Sequence, residues 1–360
     1  MASNISDASS PDSFAPMSGN PVRPSGDASS SSGAAASSVS TVSPALATSF
    51  AIAVMAGVFV SIQGIFNGAF TASGAGPLLA GWVSYLGTLI TVVVIIVAQG
   101  NAAKFMRILR EHGKLWWFGV GAGGVPIVIA MAWGIPLVGA TLASVCAVAG
   151  QTIMGLVLDR FGLGLPERIR LSGFRIVAVA VVLVGLGLAI SAGSAGSNVS
   201  SGWAMVGVGL LLFVMCSFIT FQNAGNGAVV SRAGYPLLAT FTSVVGGTTI
   251  MSVIVLAMFF SGGLEGHSFP GVDSWWMYLG GPAGAGITIC AASSVRRLGT
   301  FRLALAMVSG QMTTALVVDF FSGVPISPAT VISAATVVLA TILASIKPKS
   351  REAASPKIRG

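Results

Sequence analysis

Six carboxamides and two carboxylates stand out in this sequence, because each lies within or at the edge of an apolar run. Gln63 and Asn67 are four residues apart, and so are Gln222 and Asn226. At helical spacing each pair shares one face. A carboxamide both donates and accepts hydrogen bonds. Four of them turned towards one space could hold a small polar or amphipathic solute. Their competing role is to join helices, at roughly 0.6–2 kcal/mol per hydrogen bond. Gln151 and Gln311 offer the same two roles, each eight residues before an aspartate.

Those aspartates, Asp159 and Asp319, close the C-terminal ends of their apolar segments. A negative charge is disfavoured at that end of a helix, and intramembrane carboxylates serve as proton relays. Both are therefore candidate carriers of a coupling proton. For Asp159 the adjacent Arg160 offers the alternative of an interfacial ion pair. Other chemistries find no residues. The two histidines, His112 and His267, fall in separate polar segments, and Cys146, Cys216 and Cys290 lie in apolar runs without a CxxC. No nucleophile–base pair, metal site or cofactor is expected.

The elements that must position these residues are membrane helices. Hydrophobic residues make up 54% of the 360-residue chain and charged residues 8%, against about 25% charged in a soluble domain. Uncharged stretches long enough for the ~20 residues of a span place helices near 45–72, 78–99, 115–134, 136–158, 171–192, 203–230, 237–260, 275–292, 298–319 and 326–346. The net charge of +8 would suit a nucleic-acid partner, but its placement does not. With ten spans, all 18 Lys and Arg fall on one face of the membrane. That is the positive-inside pattern, with both termini cytoplasmic, and no nucleic-acid partner is expected.

The chain also repeats. Gln63, Asn67, Pro77, Ser84, Gly87, Trp116, Trp117 and Gly121 recur 159 residues later, as Gln222, Asn226, Pro236, Ser243, Gly246, Trp275, Trp276 and Gly280. With one inserted residue the offset becomes 160, so that Gly139, Gly150, Gln151 and Asp159 match Gly299, Gly310, Gln311 and Asp319. Five helices per repeat is an odd number, so the second copy enters from the opposite side. The basic 100–114 segment has a counterpart at 261–274 without Lys or Arg, as inversion requires. Inverted repeats are the architecture of many secondary transporters. The expected fold is all-α and polytopic, ten transmembrane helices as two inverted five-helix repeats. Its parts are a cytoplasmic tail at 1–43, repeats at 44–197 and 198–346, and a basic tail at 347–360.

Gln63-x-x-x-Asn67, Gly76-Pro77, Trp116-Trp117 and Gly150-Gln151, followed by Asp159, Phe161-Gly162 and Pro166, resemble the YdcZ family of the drug/metabolite transporter superfamily. The resemblance spans roughly 50–346, and after Asp319 the second copy departs to Phe320-Phe321-Ser322. It implies a fused ten-helix exporter of the bacterial inner membrane, with a small-molecule solute as its cargo. Expected partners are the lipid bilayer, a coupling proton and further copies of the chain. A non-transporting scaffold or receptor, and a membrane-embedded enzyme, are the alternative classes.

Overall fold

The computed structural model describes residues 44–100, 102–138, 140–163, 168–169, 173, 175–177, 179–180 and 202–321. The tenth expected span, both tails and all but fragments of the fifth span lie outside them. So do Gly139 and the side chains of 132–136, 138, 140–145, 202, 205, 315 and 319. The regular structure among the described residues is helical: α1 Pro44–Phe70, α2 Gly76–Ala98, α3 Ala102–His112, α4 Leu115–Gly119, α5 Val125–Val138, α6 Ala140–Phe161, α7 Gly202–Ala233, α8 Pro236–Phe260 and α9 Gly280–Phe321, with turns and irregular segments such as 261–271 between them.

Among the described residues, four stretches are long and apolar enough to cross a membrane: Pro44–Ala98, Val206–Ala233, Pro236–Phe260 and Val272–Val318. The first has 55 residues and as one rod would be ~80 Å long, over twice the hydrocarbon thickness. A π turn at Thr71–Ala75 divides it, with Gly74 at φ 105° and Gly76 at φ 75°. Only glycine enters that region at no steric cost. Pro77 then opens α2, and Pro236 opens α8 at the matching place in the second repeat. Proline suits a first helical turn because its missing N–H has no intrahelical partner there. The other long stretch breaks at Gly299, with φ 77° and ψ 167°. The break falls at the start of the expected 298–319 span, so that span and the one expected at 275–292 are two helical segments of α9 joined at Gly299.

These helices expose apolar side chains and bury a mixture of apolar and small polar ones. On α2, Ser84, Thr88, Val92 and Ile96 are buried, while Ile90, Val94 and Val97 are 57–63% exposed. A solvent-facing stripe of this kind is stable only in lipid.

The 100–114 segment, expected as a loop, contains α3. Phe105, Ile108 and Leu109 lie at helical spacing and pack into the core formed by Val229, Leu237 and Leu238. Lys104, Arg107 and Arg110 occupy the exposed face. The chain then bends by 109° into Leu115–Met131.

The two halves interlock by reciprocal contacts. α1 packs along α9, where a Cβ on Gly57 would strike the Met307 carbonyl and one on Gly310 the Val54 carbonyl. α6 packs along α7, where a Cβ on Gly150 would strike the Phe213 carbonyl. Ser61 Oγ donates to the Gln311 carbonyl at 2.7 Å, and Thr220 Oγ1 donates to the Gln151 carbonyl at 3.2 Å. Residues 54, 61, 150 and 151 correspond to 213, 220, 310 and 311 at the repeat offsets. The first helix of each half thus packs on the fourth of the other, the relation a pseudo-twofold axis produces.

Candidate functional site

The repeated carboxamides form two matching polar knots. In the first half, Gln63 Nε2 on α1 donates to Ser84 Oγ on α2 at 3.0 Å, and to the carbonyl of Gly280 on α9 at 3.2 Å. In the second half, Gln222 Nε2 on α7 donates to Ser243 Oγ on α8 at 2.9 Å. Each glutamine lies 21 residues before its serine. The carbonyl facing Gln63 identifies the donating atom as nitrogen, and the matching position of Gln222 gives it the same orientation.

Glycines allow this approach. A Cβ on Gly280 would run into Asn67 Oδ1, and one on Gly284 into Thr88 Oγ1. On the other side, a Cβ on Gly123 would press on Gln222, and one on Gly124 would meet Gln222 Oε1 and the Tyr85 hydroxyl. Small residues at helix crossings commonly allow such contact in membranes. Thr88 Oγ1 donates to the carbonyls of Ser84 and Gly281 at 2.7 and 2.9 Å.

Tyr85 links the two knots. It follows Ser84 in the chain, its hydroxyl lies over Gly124 beside Gln222, and its carbonyl accepts from Thr248 Oγ1 at 3.3 Å. A groove of about 300 Å³ flanks this layer between α2 and α8, lined by Leu89, Val245, Thr248, Ser252 and Leu256 among others.

The halves differ in the burial of their carboxamides. Gln222 and Asn226 are 5% and 1% exposed, and their oxygens, Oε1 and Oδ1, have no hydrogen-bond partner among the described residues. Gln63 and Asn67 are only half-buried. A buried acceptor left unpaired costs about 1–3 kcal/mol, so a side of the layer that keeps two is poised to receive donors. Of the other expected site residues, Gln151 and Gln311 sit where each fourth helix meets the opposite first helix.

Asp159 belongs to a different structure, at the end of α6. Its carboxylate accepts from Arg175 Nη1 at 2.9 Å, the Thr300 N–H at 2.7 Å, Thr300 Oγ1 at 2.8 Å and the Phe301 N–H at 3.4 Å. Its partner is Arg175, not the neighbouring Arg160. It caps the helical segment that restarts after the Gly299 break, where a negative charge is favoured. A Cβ on Gly299 would lie 2.7 Å from Asp159 Oδ2. Asp319 lies on the last turn of α9, with its side chain outside the described residues.

Sequence reasoning missed Arg175, Thr300, Tyr85 and the Ser61/Thr220 pair. The last was available, since a hydroxyl recurs there at the repeat offset. Tyr85 has Val244 as its counterpart and Arg175 has Ala335, so no repetition marks either.

The sequence matches the protein family described as "Putative inner membrane exporter, YdcZ" over residues 48–188 and again over 207–345. No curated protein matches it. A solved structure described only as "Crystal structure of protein" has a TM-score of 0.57 and 18% identity, covering 83% of this chain and 96% of that one. That likeness bears on the fold alone.

Proposed function

The chain belongs to the YdcZ family of inner-membrane exporters, and on that premise we propose that it is a proton-coupled secondary carrier. It moves a small polar or amphipathic solute outwards across the bacterial inner membrane, with both termini cytoplasmic. Its two five-helix halves, inverted in the membrane, exchange conformations and expose the polar layer to each side in turn. The observation that carries this reading is the pair of buried, unpartnered oxygens on one face of α7, Gln222 Oε1 and Asn226 Oδ1. They stand in a layer that both halves build from the same residue types.

Flux into proteoliposomes tests it, with a solute first found by its thermal stabilisation of the purified protein. Gln222→Leu is expected to abolish transport while leaving stability within about 1 kcal/mol of wild type, since it removes one hydrogen bond and one unpaired acceptor together. Gln63→Leu, which loses bonds to both halves, is expected to lower transport and stability alike. Wild-type flux in Gln222→Leu would remove this residue from the solute path.

Asp319 is the residue we assign to proton coupling, with Asp159 second because its oxygens are already engaged. The sequence gives Asp319 no counterpart of Arg175, since Ala335 stands at that place. An imposed pH gradient is expected to drive accumulation by the wild type. Asp319→Asn should exchange solute to equilibrium but no longer accumulate it. Undiminished accumulation in that variant would rule the residue out.

A further inference from the structure

We propose that the corner where α3 meets the end of α7 and the start of α8 binds the headgroup of an anionic phospholipid. The corner contains a cavity of about 210 Å³ lined by Lys104, Phe105, Ile108, Ala233, Gly234 and Tyr235. Its floor is rigid. The Phe105 ring packs edge-on against Phe241 at 5.3 Å and against Tyr235 at 6.4 Å. The Tyr235 hydroxyl donates to Gln99 Oε1 at 2.7 Å.

The charge around it is one-sided. Lys104, Arg107 and Arg110 on α3, Lys114 after it and Arg232 at the end of α7 are all exposed. The carboxylate on α3, Glu111, lies 4.0 Å from His112 Nδ1. None of the five cations forms an ion pair among the described residues. The position is interfacial. α2 ends at Ala98 and α4 begins at Leu115, so α3 is confined between two membrane helices. Trp116 is 40% exposed, and the Arg232 guanidinium stacks over its ring at 5.2 Å. Exposed tryptophan marks headgroup level, and basic pockets between membrane helices at that level suit anionic headgroups. A phosphate seated over Lys104 supplies the charge these side chains lack, and Phe105, Ile108 and Ala233 offer an apolar wall to the acyl chain beneath it.

The test compares phosphatidylglycerol with phosphatidylcholine on the full-length protein in detergent. Native mass spectrometry counts bound lipid, and thermal unfolding reports its effect. Phosphatidylglycerol is expected to stay bound and raise the unfolding temperature, and phosphatidylcholine to do neither. Each cation removed should weaken binding about fivefold. Lys104→Gln alone then shows a fivefold loss, and Lys104→Gln with Arg107→Gln and Arg110→Gln about a hundredfold. Arg296→Gln with Arg297→Gln, which neutralises two exposed cations elsewhere, should leave binding unchanged. The proposal fails if the two lipids bind alike, if Lys104→Gln and the triple variant keep wild-type affinity, or if the Arg296/Arg297 control loses as much per charge. In the last case the effect is general surface charge rather than this corner.

Discussion

Asp159→Leu is expected to destabilise the protein by about 3–5 kcal/mol, the cost of stranding one member of a buried ion pair. Asp159 and Arg175 are 0% and 4% exposed, so little water can replace the lost partner. Removing the carboxylate leaves the Arg175 charge with its stacking contact on Phe301, at 5.1 Å from the ring centroid. It also uncaps the N–H groups of Thr300 and Phe301 at the break in α9. Arg175→Met should cost less, because the carboxylate keeps three donors from Thr300 and Phe301. The double variant should recover part of the loss, since the Arg175 charge is then no longer stranded. Thermal or denaturant unfolding in detergent measures all three. Single variants within about 1 kcal/mol of wild type would show that the pair is solvated rather than buried. Because the pair ties α6 to the break in α9, and so one half to the other, the loss should appear in unfolding and in transport together.

Gly310→Val should be comparably severe, at about 3 kcal/mol or more, at the upper end of what overpacking costs. The added Cβ meets the Val54 backbone, its carbonyl first, and also lies 3.2 Å from the Val58 nitrogen. Backbone cannot rotate aside as a flexible side chain can, so α1 and α9 must separate. The Ser61–Gln311 hydrogen bond, one residue further along, should be lost with the crossing. Gly150→Val is the matching test in the other half, against the Phe213 backbone, and a similar loss there would support functional equivalence of the two crossings. Gly64→Ala and Gly68→Ala serve as controls on α1 itself, because no atom of the described residues lies within 4 Å of either added Cβ. Those two should be neutral or slightly stabilising, since alanine favours helix over glycine by about 1 kcal/mol. If Gly310→Val unfolds at the wild-type temperature, the crossing is looser than the structure has it.

Several of these features were legible in the residues themselves. The spacing of Gln63 and Asn67, and of their copies 159 positions on, marks paired carboxamides on one helix face, which could face a cavity or join helices. Gly119 and Gly123, and Gly280 and Gly284, have the four-residue spacing of close helix crossings. Close approaches occur at Gly123, Gly280 and Gly284, whereas no atom of the described residues lies within 4 Å of a Cβ on Gly119. Tryptophan at the start of a span suits interfacial anchoring. Trp116, Trp275 and Trp276 are exposed enough to serve, but Trp117 is fully buried in the core. α3 is masked in the sequence by its own charges, which outnumber Phe105, Ile108 and Leu109 on its packed face.

Composition and periodicity act locally, and they determined what depends on local chemistry: an all-helical membrane chain, its breaks at glycine and proline, and its duplication. Partner choice was decided only in three dimensions. Asp159 passes over Arg160, its neighbour in sequence, for Arg175 and for Thr300, 141 residues away. The reason is that α6 ends where α9 breaks, and a carboxylate taken out of water binds whatever donors the packing brings to it. The same holds for the difference between the halves. Gln63 and Gln222 are the same residue in the same repeat, yet Gln63 also reaches a carbonyl of the other half, while Gln222 keeps a buried oxygen without a partner. That difference arises from how closely each neighbouring helix approaches, which the packing of the whole bundle sets.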